Sequence, residues 1–462
     1  MAADAVLDII AHGAWNGGKR VDNSIYENKG LVFKGGIPVN HETIEERIGV
    51  RTRIVAPEDE RIGVLAFKEL LQTSNIDPTR IKLIIGATNI GEDKFDPGPL
   101  IRHPFELVQS SCPNARVLDL YAGCPGFNVA VEFVFMLSLA GMLQAGDLSI
   151  IVGAENVHRA KVFPPNDTAN IIFGDDAVAT VLETQAQASE VGDVDVSAKV
   201  TFQAGDDVAR GIASELIKMI GPQKIDGIIV DNQLGKLEHR VPALATRIQH
   251  HLIELAYPQE AAKGTFKRFR KALAFYNQHV NAFAFDVMTV DRQPDHIAQR
   301  ANAYVACGKY KIVASVYLSA DRRVVLRLHS GPGHLNHRPK WGIVDTLTQS
   351  HGCFAPYIEV LPFTDRAEMF GHMNGKGVFL HATRGAKYHL ATLMAPHNLD
   401  LDGIDLLIEH QANFAMIPLT IEQVLKDGHK NVKKAAADFI AKKMVTNIHE
   451  RGNCSVVCMQ RL

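Results

Sequence analysis

The stretch Val117-Leu-Asp-Leu-Tyr-Ala-Gly-Cys-Pro-Gly-Phe127 decides how this chain is read. It opens with a mostly apolar run of the kind that forms a buried strand, takes a small step at Ala122-Gly123, and leads into a segment from Gly126 to about Leu143 with helical character. A strand-to-helix elbow is therefore expected, with Cys124 at its corner. There the unpaired N–H groups and the dipole of the helix favour thiolate over thiol, so the sulfur is expected to have a lowered pKa and to be nucleophilic at neutral pH.

Working outward, the first part alternates helix-like and strand-like segments. A helix is expected at about 59–72, strands at Ile81–Ala87 and Leu148–Gly153, and a further strand at Ala177–Glu183 after the tight turn Phe173-Gly-Asp-Asp176. Such alternation predicts an α/β fold with a largely parallel sheet covered by helices, and the strand at 148–153 should be buried on both faces. The middle of the chain repeats the pattern. Helices are expected near 206–220, 240–256, 260–275 and 295–307, and strands at Ile225–Val230, Phe283–Val287 and Lys311–Tyr317. Arg80-Ile-Lys-Leu-Ile-Ile-Gly-Ala-Thr-Asn-Ile-Gly91 parallels Lys224-Ile-Asp-Gly-Ile-Ile-Val-Asp-Asn-Gln-Leu-Gly235, and Leu143–Val152 parallels Val305–Ala314. Where a second nucleophile should stand the chain reads Phe285-Asp-Val-Met-Thr-Val-Asp-Arg292, without a cysteine. Two readings follow: a degenerate, catalytically silent copy of the first half, or an unrelated α/β insertion.

Length and composition narrow the classes. The chain has 462 residues, 46% apolar and 22% charged, which suits a globular protein with more than one core and excludes disordered and fibrous classes. Forty-nine Lys and Arg against 51 Asp and Glu leave a formal charge of −2, so no global field points to nucleic acid or a membrane surface. No apolar run approaches the length of a membrane span. The six cysteines are scattered and the chain opens Met1-Ala-Ala-Asp-Ala5 without a basic leader, which predicts reduced thiols and a cytoplasmic location. Cys454 and Cys458 lack a partner pair at zinc-ligand spacing, so no metal is expected.

Further along, Leu401–Ile408 reads as a strand delivering His410, an amphipathic helix is expected near 379–395, and Ile421–Lys443 is helical and lysine-rich. The runs Tyr121–Phe127, Ile171-Ile-Phe-Gly-Asp-Asp-Ala177, His410-Gln-Ala-Asn413 and Gly452-Asn-Cys-Ser455, in that order, resemble the β-ketoacyl-ACP synthase III branch of the thiolase superfamily. Ile44-Glu-Glu-Arg-Ile-Gly-Val-Arg-Thr-Arg53 resembles its N-terminal signature. The resemblance covers roughly 1–185 and 370–455.

That resemblance implies a thiolase-like layered α/β fold with an additional inserted α/β domain. Residues 1–186 would be the N-terminal catalytic half, 187–340 the insertion, and 341–462 the C-terminal half. After Asn453 it implies further elements, among them a glycine-rich loop completing the oxyanion hole. It also implies an acyltransferase: an acyl group passes from CoA or acyl carrier protein to Cys124, and a carbanion from a decarboxylating malonyl thioester attacks it. His410 and Asn453 would donate hydrogen bonds to the thioester oxygen, each such donor commonly lowering the barrier by ~3 kcal/mol.

Arg47 and Phe95 would bind substrate, the latter across a dimer interface, and Lys376 and Arg384, with Lys387, would meet an acidic carrier. The tryptophan that stacks on the CoA adenine corresponds to Thr43, and Lys263–Lys271 forms a second basic cluster. No permanently bound cofactor is implied, only CoA or phosphopantetheine thioesters as substrates, with a homodimer or a heteromeric synthase as the assembly. Alternatives are a non-decarboxylating Claisen condensation, for which Glu92 is a candidate base, acyl transfer to another acceptor, or a non-catalytic subunit.

Overall fold

In the computed structural model, the described residues are 6–89, 110–159, 163–164, 167–185, 193–204, 206–221, 224–234, 243–280, 282–289, 292–307, 309–331, 342–362, 369–426 and 428–462. Ten strands form one mixed sheet. In the first part these are β1 (Leu7–Ala14), β6 (Ile81–Ala87), β7 (Arg116–Tyr121), β8 (Leu148–Glu155) and β9 (Asp176–Thr184). In the middle they are β10 (Asp193–Thr201), β11 (Gly227–Asn232), β12 (Phe283–Thr289), β13 (Ile312–Leu318) and β14 (Arg323–Ser330). Small antiparallel ribbons pair β2 (Lys19–Asp22) with β5 (Thr52–Val55), β3 (Val32–Phe33) with β4 (Ile37–Pro38), and β15 (Ile358–Pro362) with β16 (Met369–Met373). The α/β class expected from the alternation is what the chain builds, but the sheet is not largely parallel: five of its nine strand pairs are antiparallel, because β1, β9, β10 and β14 join at the edges and the two halves meet back to back.

The large sheet runs β1-β9-β8-β6-β7-β12-β11-β13-β14-β10. Counting strands within each half in chain order, both halves read third, second, fourth, fifth, first from the centre outward. Pair orientations agree as well: β6 is parallel to β7 and β8, as β11 is to β12 and β13, and the outer pairs are antiparallel in both. The halves meet through the antiparallel pair β7 and β12, with Tyr121 opposite Asp286 and Leu118 opposite Thr289. Two like-ordered halves joined by an antiparallel pair are related by an approximate two-fold axis. A different strand order would have ended the reading of a repeat, and the order is the same. Cys124 lies three residues beyond β7 and two before the helix Gly126–Leu139; Arg292, at φ 52°, lies three beyond β12 and two before the helix Pro294–Ala306.

The cause of this arrangement is apolar pattern. All eight residues of β8 are buried, as predicted for a strand covered on both faces. The helix Gly126–Leu139 is apolar almost all round and buries Phe133, Val134, Phe135 and Met136 completely, because it lies between the two halves. Phe133 meets Phe285 edge to face, ring centroids 6.0 Å apart, so the helix that follows Cys124 is anchored on the middle segment. Its one acid, Glu132, is buried but satisfied: it accepts from Tyr310 Oη at 2.6 Å and from Thr348 Oγ1, with Lys309 Nζ at 3.6 Å.

Beyond residue 341 the described chain adds no strand to this sheet. The helix Gly375–Met394 matches the amphipathic expectation, and the single helical segment expected at 421–443 is two helices, Met416–Leu425 and Val432–Lys443. The helix expected at 260–275 is likewise split, into Pro258–Ala262 and Phe269–His279. The expected strand Leu401–Ile408 does not form. Its only ladder contact is a parallel bridge from Leu407 to Met444, and Leu406 and Ile408 are exposed at 51% and 39%. An apolar run becomes a strand only where an edge is open to it, and here the sheet is completed by the middle segment.

Candidate active site

Cys124 sits where the sequence places it, between β7 and the helix Gly126–Leu139, in the wall of a cavity of about 380 Å³. Asn89, Phe163, Phe173 and Ser455 line it from the first half and the C-terminal tail, Ala243, Thr246 and Ala284 from the middle segment, and His351 and His381 from beyond residue 341. The lining is mostly apolar. The expected lowered pKa is not found. Desolvation pushes the Cys124 thiol up, and the hydrogen bond from Ser455 opposes it without reversing the direction. Cys124 as a residue is only half-buried, but its sulfur lies in a mostly apolar wall, and that surrounding opposes its charge more than the helix end favours it.

The tail Gly452–Leu462 reaches this site by docking on the first half. Asn453 N donates to Ile172 O at 2.9 Å and Gly174 N to Asn453 O at 3.1 Å, forming a parallel bridge with Phe173. Only a glycine fits at 174, because a Cβ there would lie 2.0 Å from Arg451 O. Asp176, fully buried, receives Arg451 Nη1 at 2.9 Å and Arg461 Nε at 2.9 Å, and Arg461 Nη2 also donates to Trp15 O at 2.5 Å. Val456, Val457, Cys454 and Cys458 are buried beneath these bonds.

This docking brings Cys124 and the Asn453 loop together through Ser455, whose Oγ is 3.6 Å from Cys124 Sγ. Asn453 Oδ1 accepts from Ser455 N at 2.8 Å and from Cys458 Sγ at 3.5 Å, which leaves the N–H₂ side of the carboxamide as donor. His410 stands on the other side of Cys458. Burial opposes its charge, but the Cys458 sulfur and the Glu409 carboxyl outweigh this and raise its pKa, while burial lifts Glu409 to about 7. Both ring nitrogens of His410 are buried, and the Cys458 sulfur is the near neighbour that acts on the ring. No hydrogen bond joins His410 to Cys124 among the described residues, and it is His351 and His381, 3.0 Å apart through Nδ1 and Nε2, that face the cavity. Desolvation drops their pKa values to about 3 and about 4, so both are neutral at physiological pH.

The remaining sites lie apart. Arg47 is exposed on the helix His41–Ile48 with its guanidinium 5.4 Å from the Phe33 ring centroid. Lys376 is exposed in the first turn of the helix Gly375–Met394, and Arg384, on the same helix, is 6.0 Å from the Phe269 centroid. None of the three lines the Cys124 cavity. Phe95 and Glu92 fall outside the described residues. In the second basic cluster Lys263 pairs with Glu260 at 2.7 Å.

Sequence reading missed Ser455, Asn89, Glu155 and the His351–His381 pair. Glu155 carried a signal, an acid closing a strand that is apolar but for Ser149. The two histidines carried none, because they lie 30 residues apart and meet only through packing.

Among the described residues no cluster of three or more His, Cys, Asp or Glu side chains is arranged to hold a metal ion, and no helix is long and apolar enough to cross a membrane. No family model matches the chain. It is similar to β-ketoacyl-[acyl-carrier-protein] synthase III of Thermosynechococcus vestitus, 33% identical over 158 residues, covering 34% of this chain and 44% of that protein. It is similar to the protein of the same name from Brucella anthropi, 30% identical over 159 residues, covering 34% and 46%. The chain thus spans about half the length of the curated relatives it matches. A solved structure of 3-oxoacyl-[acyl-carrier-protein] synthase III from Aquifex aeolicus aligns over 70% of this chain and 99% of its own, at 16% identity and a TM-score of 0.32.

Proposed function

We propose that this chain, whose relatives are β-ketoacyl-ACP synthases III, is an acyltransferase that takes an acyl group from a thioester onto Cys124 and condenses it with a malonyl-type thioester. The observation that carries this reading is the cysteine at the strand-to-helix corner, opening on an apolar cavity and touched by the loop that bears Asn453. In the first step the sulfur attacks the thioester carbonyl, an S–C bond forms and the donor thiol leaves. In the second, loss of carbon dioxide from the malonyl thioester leaves a carbanion that attacks the acyl carbon and releases Cys124. Asn453 and His410 are the donors to the enolate oxygen that the family resemblance implies, although neither lines the Cys124 cavity.

The substrates are CoA or phosphopantetheine thioesters, with no permanently held cofactor. Lys376 and Arg384 are offered to an acidic carrier, and Arg47 and Phe95 to the substrate arm. The assembly is a homodimer or a pairing with a synthase partner. Fatty acid and polyketide precursors both suit an apolar cavity of this kind.

A second reading has its own support. The cavity is lined by the neutral pair His351 and His381 and not by His410, which favours acyl transfer to a non-malonyl acceptor, or an acyl-holding subunit. Intact mass after incubation with an acyl-CoA tests the first step, with an acyl adduct expected on the native chain and none on Cys124→Ala. Release of labelled carbon dioxide from malonyl thioester then separates the readings. Release supports condensation; an adduct without release supports the second reading; no adduct overturns both.

A further inference from the structure

A fully buried carboxyl near Cys124 has no task in the steps above. Glu155 closes β8 with no solvent exposure, and its Oε2 has no hydrogen-bond partner among the described residues. Its Oε1 accepts twice from Asn89, from the backbone N at 2.7 Å and from Nδ2 at 2.8 Å. Asn89 Nδ2 also donates to Ser455 Oγ at 2.8 Å, and Ser455 Oγ is 3.6 Å from Cys124 Sγ.

The direction of these bonds follows from counting hydrogens. Burial pushes the Glu155 carboxyl up toward its protonated form, and with that proton on Oε2, Oε1 is the carbonyl oxygen, which accepts from the Asn89 backbone N–H and so faces the N–H₂ and not the carbonyl of its amide. That nitrogen has two hydrogens, one spent on Glu155 and one on Ser455. Ser455 Oγ is thus already an acceptor, and its single hydrogen is left for the sulfur. The serine is held there against its own backbone preference. Its φ is 48°, in the left-handed region that costs a non-glycine residue roughly 1–2 kcal/mol, and the Asn453 side chain fixes it by accepting from Ser455 N.

We propose that Ser455 is the hydrogen-bond donor to the Cys124 sulfur, and that Asn89 and Glu155 are positioning residues that fix the direction of that bond. The proposal deepens the reading of Cys124 as the acyl acceptor and rests on it for its role in turnover. No proton moves along the relay. The hydrogen of Ser455 stays on its oxygen and stabilises negative charge on sulfur when the thiol ionises to solvent. The opposing effects on the Cys124 thiol, burial raising its pKa and Ser455 lowering it, agree with this arrangement.

The test is the pH profile of Cys124 alkylation by iodoacetamide, followed by peptide mass, in which sulfur displaces iodide from carbon. A hydrogen bond to a charged group that contributes about 1.4 kcal/mol corresponds to about tenfold in rate. Ser455→Ala is therefore expected to move the profile to higher pH and to slow alkylation near pH 7 about tenfold. Asn89→Asp should do the same, since a carboxylate accepts from the serine hydroxyl and turns its hydrogen away from sulfur; the double variant should be no slower than either. Ser455→Gly relieves the backbone and should melt no lower than the native chain while giving the alanine profile, which separates loss of the donor from loss of folding. Glu155→Gln keeps a carbonyl facing Asn89 and should stay within twofold of the native profile. Native profiles for Ser455→Ala and Asn89→Asp, or additive effects in the double variant, would overturn the proposal. Alkylation needs no acyl donor, so a shifted profile on a chain that fails to acylate would sink the acyl-transfer reading and leave the relay standing.

Discussion

Replacing Asp176 by Asn should release the C-terminal tail and, with it, Ser455 and Asn453. Asp176 is fully buried and, among the described residues, holds both Arg451 and Arg461 to the first half. Breaking a buried pair from one side costs about 3–5 kcal/mol, because the charge left behind is neither hydrated nor neutralised. Against this, Val456 and Val457 are 1% and 0% exposed, and burying two valines contributes roughly 3–6 kcal/mol as an upper estimate. Gln460, which donates to Ile151 O and Thr180 Oγ1, and the backbone bonds of Asn453 also hold the tail, so the substitution lowers the cost of opening it by about the cost of the broken pair while the sheet stays folded. The assay is the number and rate of thiols reacting with an aromatic disulfide under native conditions. Cys454 and Cys458, each 2% exposed, should react slowly in the native chain. In Asp176→Asn both should react at least about a hundredfold faster, the factor that corresponds to ~3 kcal/mol of local opening. Cys112 and Cys307, buried in the sheet cores, should not change. If rates at 454 and 458 stay within twofold of native, the account of what docks the tail is wrong.

Gly174→Ala should act at the same junction by crowding, costing roughly 1–3 kcal/mol in urea unfolding and exposing the same two thiols, since the Arg451 carbonyl in its way is backbone. Asp231, buried and raised to about 6, accepts from Gln233 and Thr289, and its folded pKa above the unfolded value means that it favours folding below about pH 4 and loses that contribution as pH rises through about 6. Asp231→Asn should therefore match the native melting temperature at pH 4.5 and exceed it at pH 8; equal differences at both values would contradict the assignment. Thr246→Trp, placed on the wall that the middle segment gives the cavity, should shift kcat/KM toward shorter acyl thioesters with little change in melting temperature. An unchanged chain-length preference would show that acyl groups do not occupy that wall.

The sequence by itself determined the elements that local pattern dictates. Ile81–Ala87 is a strand with the predicted ends, β8 is buried on both faces, and Cys124 stands at the corner before a helix, because apolar runs, small steps and helix periodicity act over a few residues. The parallel between the first part and residues 224–314 was visible too, and the equal strand order of the two halves agrees with it. Tertiary structure decided the rest. Leu401–Ile408 has the composition of a strand but no sheet edge to join, since edges are allotted by the whole chain. The same holds for the site. Cys124 was expected to be activated by its helix and is instead held up in pKa by desolvation, a quantity set by every group packed around the sulfur. Ser455, Asn89 and Glu155 are distant in the chain and became a relay only because Gly174 and Asp176 let the tail dock beside β8. Hydrogen bonds and burial depend on distance in space, and spacing along the chain does not encode that distance until the fold has closed.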